Sequence, residues 1–336
     1  MMEVAVIGAG PGGCAAAIWC ARHGISTTLF EGSPFPREAP GETLHPGIEA
    51  LFRQLGVADA VLDAGFLRHP GHHVAWKDEP KFVPFGSDRN GPWLGFQALR
   101  ARLDAVLLDR ARTLGVTIHQ PCRVLEPILT GDRVCGVRTS AGDFPCSFVI
   151  DAGGRSHWLG RRLRLEIKTC SPPLTAFYGY RAGECPSRDQ APALTANEDG
   201  WTWVARVSPH LYQWTRLNVN QSPLADGWVP EELRLLEPRG RTRAVDVTWR
   251  MALPAAGPGY FLVGDAATVL DPASSHGVLK AIAGGMMAAH LIRQVVQHGA
   301  DESGATQAYQ DWLQKQFRYD ITELNRLYSI FPSWPT

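Results

Sequence analysis

A glycine-rich turn between an apolar strand and a helix of small residues constrains the fold of this chain more than any other feature. The strand and turn run from Val4 to Gly13, and an acidic residue, Glu31, follows the next strand. We expect Gly8 to allow a tight turn, Gly10 to let the backbone approach a pyrophosphate and Gly13 to let the helix pack on the strand. The helix N-terminus would face the phosphates of an adenine dinucleotide, and Glu31 would accept hydrogen bonds from its ribose hydroxyls.

The composition is typical of a globular protein and argues against polyanionic partners. Of the 336 residues, 45% are hydrophobic and 20% are charged, and the formal net charge is zero. We therefore expect neither nucleic acid nor a membrane surface as a partner. No apolar run reaches about 18 residues and no secretory leader precedes the first strand, so we expect a cytoplasmic protein. The seven cysteines include no C-x-x-C pair, which argues against disulfides and against a metal site.

Hydrophobic spacing divides the rest of the chain into two kinds of segment. Helical spacing predicts helices over 96–114, 277–296 and 306–328. Short strands separated by turns fill 66–96 and 175–251, and the alternation of polar and aromatic residues there predicts an antiparallel sheet with one face covered.

These segments predict an α/β fold in which a dinucleotide-binding domain is interrupted by a second domain. The second domain is expected to be mostly antiparallel sheet. The predicted dinucleotide-binding domain comprises residues 1–65, 97–170 and 252–300, the sheet domain comprises 66–96 and 171–251, and a C-terminal helix lies within 301–336.

Four motifs in a fixed order resemble those of the flavoprotein monooxygenase and halogenase superfamily, which has the p-hydroxybenzoate hydroxylase fold. Leu103 stands where the family has Phe, and Ser156 falls one residue earlier than in the family pattern. The four motifs are the glycine turn with Glu31, Arg100-Ala-Arg-Leu-Asp104, Asp151-Ala-Gly-Gly-Arg-Ser-His-Trp-Leu-Gly-Arg161, and Gly264-Asp265 with Pro272 and Gly277.

The resemblance implies an FAD-dependent enzyme with a Rossmann-like FAD-binding domain interleaved with the sheet domain on the substrate side. Asp265 would hydrogen-bond the ribityl chain, the backbone of Val124 would meet the adenine, and Arg100 would lie near the pyrophosphate. Backbone N–H groups before a helix would face the N1–C2=O edge of the flavin, where negative charge gathers on reduction. The implied FAD-contacting residues are Gly8, Gly10, Gly13, Glu31, Arg37, Glu42, Arg100, Val124, Gly264, Asp265, Pro272, Gly277 and Val278.

Two segments, Arg37–Pro46 and Asp271–Gly277, look most like the branch that contains tryptophan halogenases and flavoproteins of tryptophylquinone cofactor formation. The second group is the closer match, because of Ser274-Ser275-His276 and the tryptophans of the sheet domain. This resemblance implies hydroxylation of an aromatic ring by molecular oxygen, through a flavin C4a-hydroperoxide in a dry pocket, with a tryptophan of a precursor protein as the substrate. The candidates for pocket walls or proton transfer are His45, Trp76, Trp201, Trp203 and His276.

Other interpretations of the same residues stay open. Each histidine could equally cap a helix or satisfy a loop, and each tryptophan could equally pack in the core. The chain ends soon after Tyr328, so we expect an open site that suits a macromolecular substrate. Electrons would come from NAD(P)H directly or from a separate flavin reductase.

Two other functions compete with hydroxylation. A halogenase of an indole, phenol or pyrrole would need a lysine beside its substrate. The candidates Lys77 and Lys81 flank a turn, and the simpler interpretation is that both side chains face the solvent. The chain keeps both tryptophans of the family's Trp-x-Trp-x-Ile-Pro motif, at Trp201 and Trp203, and replaces Ile-Pro by Ala-Arg. A flavoprotein without turnover could instead hold a precursor protein through its aromatic surface.

Overall fold

The computed structural model describes residues 3–37, 40–76, 79–274 and 276–334. Short 3₁₀ turns cover Gly264–Ala266 and Pro272–Ser274, on either side of a strand. Within these ranges the helices are α1 (Pro11–Arg22), α2 (Ile48–Leu55), α3 (Ala58–Asp63), α4 (Arg100–Thr113), α5 (Trp158–Arg162), α6 (Gly277–His298) and α7 (Glu302–Tyr328).

The strands of the described ranges are mostly short, and they form two large sheets and several small ones. In chain order they are β1 (Val4–Ile7), β2 (Thr27–Phe30), β3 (Glu42–Leu44), β4 (Leu67–His69), β5 (Gly71–Ala75), β6 (Lys81–Pro84), β7 (Ser87–Asp88), β8 (Gly91–Pro92), β9 (Gly95–Ala98), β10 (Thr117–His119), β11 (Val124–Thr130), β12 (Arg133–Thr139), β13 (Gly142–Pro145), β14 (Phe148–Asp151), β15 (Glu166–Thr169), β16 (Thr175–Ala182), β17 (Ala193–Asn197), β18 (Gly200–Ser208), β19 (Leu211–Asn218), β20 (Glu237–Asp246), β21 (Arg250–Leu253), β22 (Ala256–Gly257), β23 (Tyr260–Leu262) and β24 (Thr268–Val269).

A six-stranded sheet in the order β10-β2-β1-β14-β23-β22 forms the first layer. Its first five strands are parallel, and β22 pairs antiparallel at the edge. All four residues of β1, β2 and β14 are buried, as expected where helices cover both faces of a parallel sheet. The α/β fold predicted from the glycine turn is therefore confirmed.

Helices α1 and α6 pack side by side and run in the same direction. A Cβ on Gly12 would lie 3.0 Å from the carbonyl oxygen of Ala281, and a Cβ on Gly285 would collide with the carbonyl oxygen of Gly12. Near the other ends of these helices, Gln297 donates to the carbonyl of His23. The N-termini of both helices therefore point toward the same end of the sheet, at the carboxyl ends of the parallel strands, where nucleotides bind in folds of this kind.

A seven-stranded sheet in the order β20-β16-β19-β18-β17-β5-β6 forms the second large layer. All of its pairs are antiparallel except β17 with β5. Strands from both predicted insertions build it, which confirms the mostly antiparallel sheet. One face meets the nucleotide-binding layer, because the backbone N–H of Gly41 donates to Tyr180 Oη over 2.8 Å.

Helix α7 connects the two layers. Near its start, Tyr309 donates to the carbonyl of Leu262 in the parallel sheet over 2.7 Å. At its end, Tyr328 packs with Trp249, Phe331 and Trp334 in the C-terminal aromatic cluster. The helix begins at Glu302, earlier than its spacing predicted, because Asp301 caps it by accepting the N–H of Gly304. Within the described ranges, none of the helices is long and apolar enough to cross a lipid bilayer.

One predicted helix begins later than expected. The spacing predicted a helix from residue 96, but 95–98 form β9, which pairs with both β3 and β4, and α4 begins at Arg100. Pairing on both edges outweighs the local helical pattern there. All seven cysteines are free thiols, as their scattered spacing predicted.

Candidate functional site

The glycine turn has the geometry that a phosphate site requires. Gly8 has a φ of +91°, and a Cβ there would lie 2.6 Å from the carbonyl oxygen of Ala152. A Cβ on Gly13 would collide with the carbonyl oxygen of Gly8, so helix α1 packs close to the strand end. Gly10 is the N-cap residue of α1, and no side chain caps the helix. Its first N–H groups are therefore available to an anion.

Glu31 lies at the end of β2, beside this turn, and is 5% exposed. Its Oε2 accepts the N–H of Ala9 over 2.8 Å and Arg37 Nη1 over 3.1 Å, and its Oε1 accepts the N–H of Ser33 over 2.9 Å. A carboxylate offers about four acceptor positions, so one remains for a ribose hydroxyl. The backbone carbonyl of Glu31 accepts the N–H of Cys122, which brings the segment entering β11 at Val124 to the predicted adenine end.

Two arginines and three carboxylates form a continuous cluster next to the turn. Arg37 joins Glu31 to Asp104, and Arg100 binds Asp104 through two nitrogens at 2.9 and 3.1 Å and Glu42 through a third at 3.1 Å. The guanidinium of Arg100 is therefore largely occupied by these carboxylates. Arg37 lies nearer to the predicted pyrophosphate, since its Nη2 would be 3.2 Å from a Cβ on Gly10.

Glu42 and Asp265 are two carboxylates of the predicted cofactor site. Burial raises the pKa of Glu42, Arg100 opposes this rise, and the negative charge of Asp265 adds to it. Asp265 lies in the 3₁₀ turn that follows β23, its side chain is 43% exposed, and Arg155 Nη2 approaches it at 3.3 Å.

His157 holds this turn in place. Its Nδ1 lies 2.8 Å from the carbonyl oxygen of Ala266, and Arg250 Nε donates to its Nε2 over 3.0 Å. Because arginine can only donate, His157 is the neutral tautomer that carries its proton on Nδ1. Burial and the neighbouring Arg250 both lower its pKa. The third sequence motif is thereby joined to the fourth, which contains Asp265.

The loop predicted to face the flavin begins at a buried carboxylate, Asp271. Its Oδ1 accepts the N–H of Ala273 over 2.8 Å, and its Oδ2 accepts the indole N–H of Trp249. Trp201 donates its indole N–H to Tyr328 Oη over 2.6 Å, so the Tyr328 hydroxyl donates onward to Asp271. Burial raises the pKa of Asp271 to about 6.

The same loop ends at an open helix terminus. Helix α6 begins at Gly277, its N-cap residue is His276, and no side chain caps its first N–H groups. Pro272 belongs to the preceding 3₁₀ turn, and Val278 is buried in the first turn of α6. Ser275 lies outside the described residues. The predicted contact between the helix terminus and the flavin edge stays a prediction, and this geometry allows it.

Three histidines contact the ring of Phe85, and a fourth, His276, contacts the ring of His45. The ring centroids of His45 and His276 are 5.6 Å apart, and those of His45, His69 and His72 lie 5.1, 5.2 and 5.7 Å from Phe85. Burial lowers the pKa of all four, that of His69 to about 4. They are therefore neutral near pH 7.

His45 and His276 present opposite chemistry. His45 Nδ1 accepts the N–H of Gly47 over 3.1 Å, so its proton is on Nε2. His276 Nδ1 lies 2.7 Å from the carbonyl oxygen of Ser274 and must donate, so its Nε2 is an acceptor, and none of the described residues donates to it. His45 can therefore donate through Nε2, and the neighbouring His276 can accept through Nε2.

The three candidate tryptophans lie in different environments. Trp203 is partly buried, and its ring lies 6.2 Å from that of His72. Trp76 donates to the carbonyl of Leu327 and packs against the C-terminal aromatic cluster. Trp201 is 1% exposed and bonded to Tyr328. Its ring packs in the core and its only polar atom is occupied, so this environment does not favour the wall role predicted for Trp201, which stays a prediction.

Sequence reasoning missed several residues on the face of the second sheet that meets the FAD-binding layer, and we call the region between this face and that layer the cleft. The strand registers place His72, Trp203, Thr215 and Tyr178 on one face of the second sheet. A period of two along β5 puts His72 on the face of Trp76, which was a usable signal. The roles of Tyr178, Arg155 and Tyr328 carried no such signal because each depends on contacts distant in sequence.

The structure describes four of the lysines. None of these four presents an unpaired ammonium group to the histidines around Phe85. Lys81 and Lys168 are exposed on strands, Lys315 is exposed on α7, and Lys280 pairs with Asp320 at 2.6 Å. Lys77 lies outside the described residues. Within the described ranges, no set of His, Cys, Asp and Glu side chains is arranged to hold a metal ion.

Residues 1–176 match the family described as FAD binding domain. The chain belongs to this family. It is 27% identical to a tryptophan 2-halogenase of Chondromyces crocatus over 94% of its own length, and spans 65% of that relative. It is 26% identical to a 1H-pyrrole-2-carbonyl-[peptidyl-carrier protein] brominase of Pseudoalteromonas luteoviolacea, covering 98% of the chain and 86% of the relative.

The fold matches solved structures of flavin-dependent halogenases. A flavin-dependent brominase superimposes with a TM-score of 0.86 and 25% sequence identity, covering 99% of this chain and 89% of that one. The predicted membership of the monooxygenase and halogenase superfamily is confirmed, and FAD is the cofactor. The residues present would fit FAD, with the N-termini of α1 and α6 for the pyrophosphate and the flavin, Glu31 for the ribose and the half-exposed Asp265 for the ribityl chain.

Proposed function

We propose that this chain is an FAD-dependent enzyme that uses molecular oxygen to halogenate an electron-rich aromatic ring, such as an indole or a pyrrole. The similarity to a tryptophan halogenase and a pyrrole brominase supports this choice. One structural observation carries this proposal. The neutral pair His45 and His276 lies beside the face of the second sheet that bears Trp203. FAD would supply oxygen activation, and every other function below belongs to residues of the chain.

The residues of the cleft would position the ring and keep water away. The indole of Trp203 gives a flat apolar wall for an aromatic substrate. Phe85 fills the space among the histidines, and Phe96 and Leu44 close the layer below it. Exclusion of water strengthens each remaining polar contact at the reacting atoms.

His45 and His276 would handle the proton of the reaction. Substitution of an aromatic ring releases one proton from the substituted carbon, and a neutral imidazole with a free nitrogen can accept it. His276 Nε2 has that free position, while His45 Nε2–H can donate to an oxygen or to a halide. His276 is therefore the proposed base and His45 the proposed donor.

Hydroxylation of an aromatic ring, including a tryptophan of a precursor protein, is the second candidate function. The observation that favours it is the position of the described lysines, since Lys81 is exposed and Lys280 is paired with Asp320. A halogenase that relays hypohalous acid through a lysine would need an ammonium group in the cleft. We propose that electrons come from NAD(P)H, directly or through a separate flavin reductase.

One experiment separates these functions. The FAD-loaded protein is reduced by a flavin reductase with NADH and mixed with oxygen, bromide and either tryptophan or a pyrrole carboxylate held on a carrier protein. Mass spectrometry showing bromine in the product, lost when His276→Ala is used, is the expected result. A product that gains one oxygen atom would favour hydroxylation. Oxygen consumption that no substrate changes would contradict both, and would favour a partner that only binds.

A further inference from the structure

Strand β20 forms an unusually long and exposed edge of the second sheet. It has ten residues, whereas β6 at the opposite edge has four. Eight consecutive residues, 237–244, are exposed, and Leu235 just before them is 97% exposed. Proteins usually protect such edges by short length, cover, charged side chains, Pro or a β-bulge, because unpaired N–H and C=O groups accept another strand. Strand β20 has Pro238 and a register shift against Tyr178 and Tyr180, but it is long, and no described strand pairs with its outer edge.

The charges of β20 have one sign over most of its length. Between Pro238 and Val245 every charged residue is an arginine, at Arg239, Arg241 and Arg243. Arg239 and Arg241 form no ion pair with the described residues, while Glu237 and Asp246 lie at the two ends of the strand. Since the chain has zero net charge, this strand is a local concentration of positive charge.

The strand also borders the cleft. Tyr178 pairs with Arg243 and Tyr180 with Arg239, so these arginines lie on the sheet face that meets the FAD-binding layer. Arg155 joins the end of the strand to the cofactor site, because it contacts the carbonyl of Asp246 at 3.4 Å and the carboxylate of Asp265 at 3.3 Å. A chain bound along β20 would therefore lie next to the opening of the cleft.

We propose that β20 is the docking edge for a partner protein that presents an extended acidic segment and carries the aromatic ring to be modified. The segment adds as a strand through main-chain hydrogen bonds, and its carboxylates pair with Arg239 and Arg241. Leu235 offers an apolar contact at one end. This inference rests on the proposed function for what the partner delivers, but the docking itself can be measured without turnover.

The test is a binding titration of the FAD-loaded protein with a fluorescein-labelled peptide in which Glu alternates with Thr around a central Trp. We expect saturable binding that weakens with added salt, and about tenfold weaker binding to the double variant Arg239→Glu, Arg241→Glu. Arg112→Glu, Arg318→Glu changes the charge equally on exposed helices and should bind as the native protein does. Retention of FAD and an unchanged circular dichroism spectrum show that both variants are folded.

Two further peptides test the mode of binding. A peptide with Pro at alternate positions lacks the backbone donors of a strand, and a peptide with Lys in place of Glu has the wrong charge, so neither should bind. Equal binding of the Pro peptide, equal binding to both double variants, or tighter binding of a single-stranded oligonucleotide would overturn the proposal. Peptide binding without any product would leave docking supported and count against the proposed function alone.

Discussion

Asp265 presents a half-exposed carboxylate at the middle of the cleft, and its only described ion pair is with Arg155. We predict that Asp265→Ala weakens FAD binding by at least about tenfold, because a hydrogen bond to a charged group contributes about 1.5–3 kcal/mol. Equilibrium dialysis with FAD measures the change. The control is Asp143→Ala, which removes another exposed carboxylate paired with an arginine, Arg138, far along the chain. An Asp265→Ala protein that is purified with full flavin would contradict this role.

Trp201 and Trp203 are two residues apart on one strand, but the structure gives them different functions. Trp201 is buried and bonded, so Trp201→Ala should lower the free energy of unfolding by about 3–5 kcal/mol. Trp203 is partly buried beside His72, so Trp203→Ala should keep FAD and lower turnover. Chemical denaturation and oxygen-dependent product formation, measured on both variants, check this. Equal destabilisation by the two changes would show that Trp203 is also core.

At the scale of elements, the contact between α1 and α6 depends on one glycine. A Cβ on Gly285 would collide with the carbonyl oxygen of Gly12, whereas a Cβ on Gly284 would lie 3.6 Å from the nearest atom, Tyr309 Oη. We predict that Gly285→Ala lowers the free energy of unfolding by about 1–3 kcal/mol and weakens FAD binding, because the helix termini move apart. Gly284→Ala should be neutral or stabilising, since alanine favours helix. Equal effects of the two changes in chemical denaturation would contradict this packing.

The hydroxyl of Tyr328 connects α7 to the loop that precedes α6. Tyr328→Phe leaves the buried indole N–H of Trp201 and the carboxylate of Asp271 each short of a partner. We predict a loss of about 1–3 kcal/mol in the free energy of unfolding, together with faster release of FAD. Tyr319→Phe on the exposed side of the same helix is the control, since Tyr319 is 66% exposed. A Tyr328→Phe protein with unchanged stability and flavin release would show that this connection is unimportant.

The sequence predicted the elements whose signals lie in neighbouring residues. Its predictions failed where contacts between residues distant in the chain determine the structure. The glycine turn, Glu31 and the spacing of α6 and α7 identified the FAD-binding layer, because turn geometry and amphipathic spacing are written in neighbouring residues. Residues 96–98 of β9 were predicted as helix, since the pairing partners of this strand lie elsewhere in the chain. Tyr328 entered the site for the same reason, through a hydrogen bond across 127 positions.

The site itself was predicted in part. His45 and His276 were chosen from two separate loops, and the structure places their rings 5.6 Å apart. Trp201 was chosen with Trp203 from the same motif, although the burial of an indole cannot be judged from one strand. Alternation along β18 puts both on one face, and only the packing of α7 against one end of that face distinguishes them.

At the scale of the whole molecule, buried histidines make stability depend on pH. The folded state holds His45, His69, His72 and His276 neutral, so the unfolded chain binds more protons below its histidine pKa of about 6.5. Stability is then lost as the pH falls from 7 to 4, and His69 alone accounts for about 2 kcal/mol at pH 5. Three carboxylates act oppositely, because burial raises the pKa of Asp271 to about 6 and also raises those of Glu42 and Asp151, which favours the folded state as the pH falls.

We predict that the histidines with lowered pKa values, which also include His157, outweigh these three carboxylates, so the free energy of unfolding in saturating FAD is lower at pH 5 than at pH 7. Urea denaturation at both values measures it. His69→Phe should reduce the difference, because the ring is buried and its Nε2 has no partner among the described residues. Higher stability at pH 5 would mean that the carboxylates dominate.

A crystal structure of the chain with bound FAD is the most direct measurement of the cofactor site on which the proposed chemistry depends. The adenosine should lie against Glu31, the pyrophosphate at Gly10 and the ribityl chain at Asp265. The isoalloxazine ring should then lie at the start of α6, facing His45, His276 and Trp203. Electron density for the ring at any other place, with those three side chains away from it, would contradict the proposed active site.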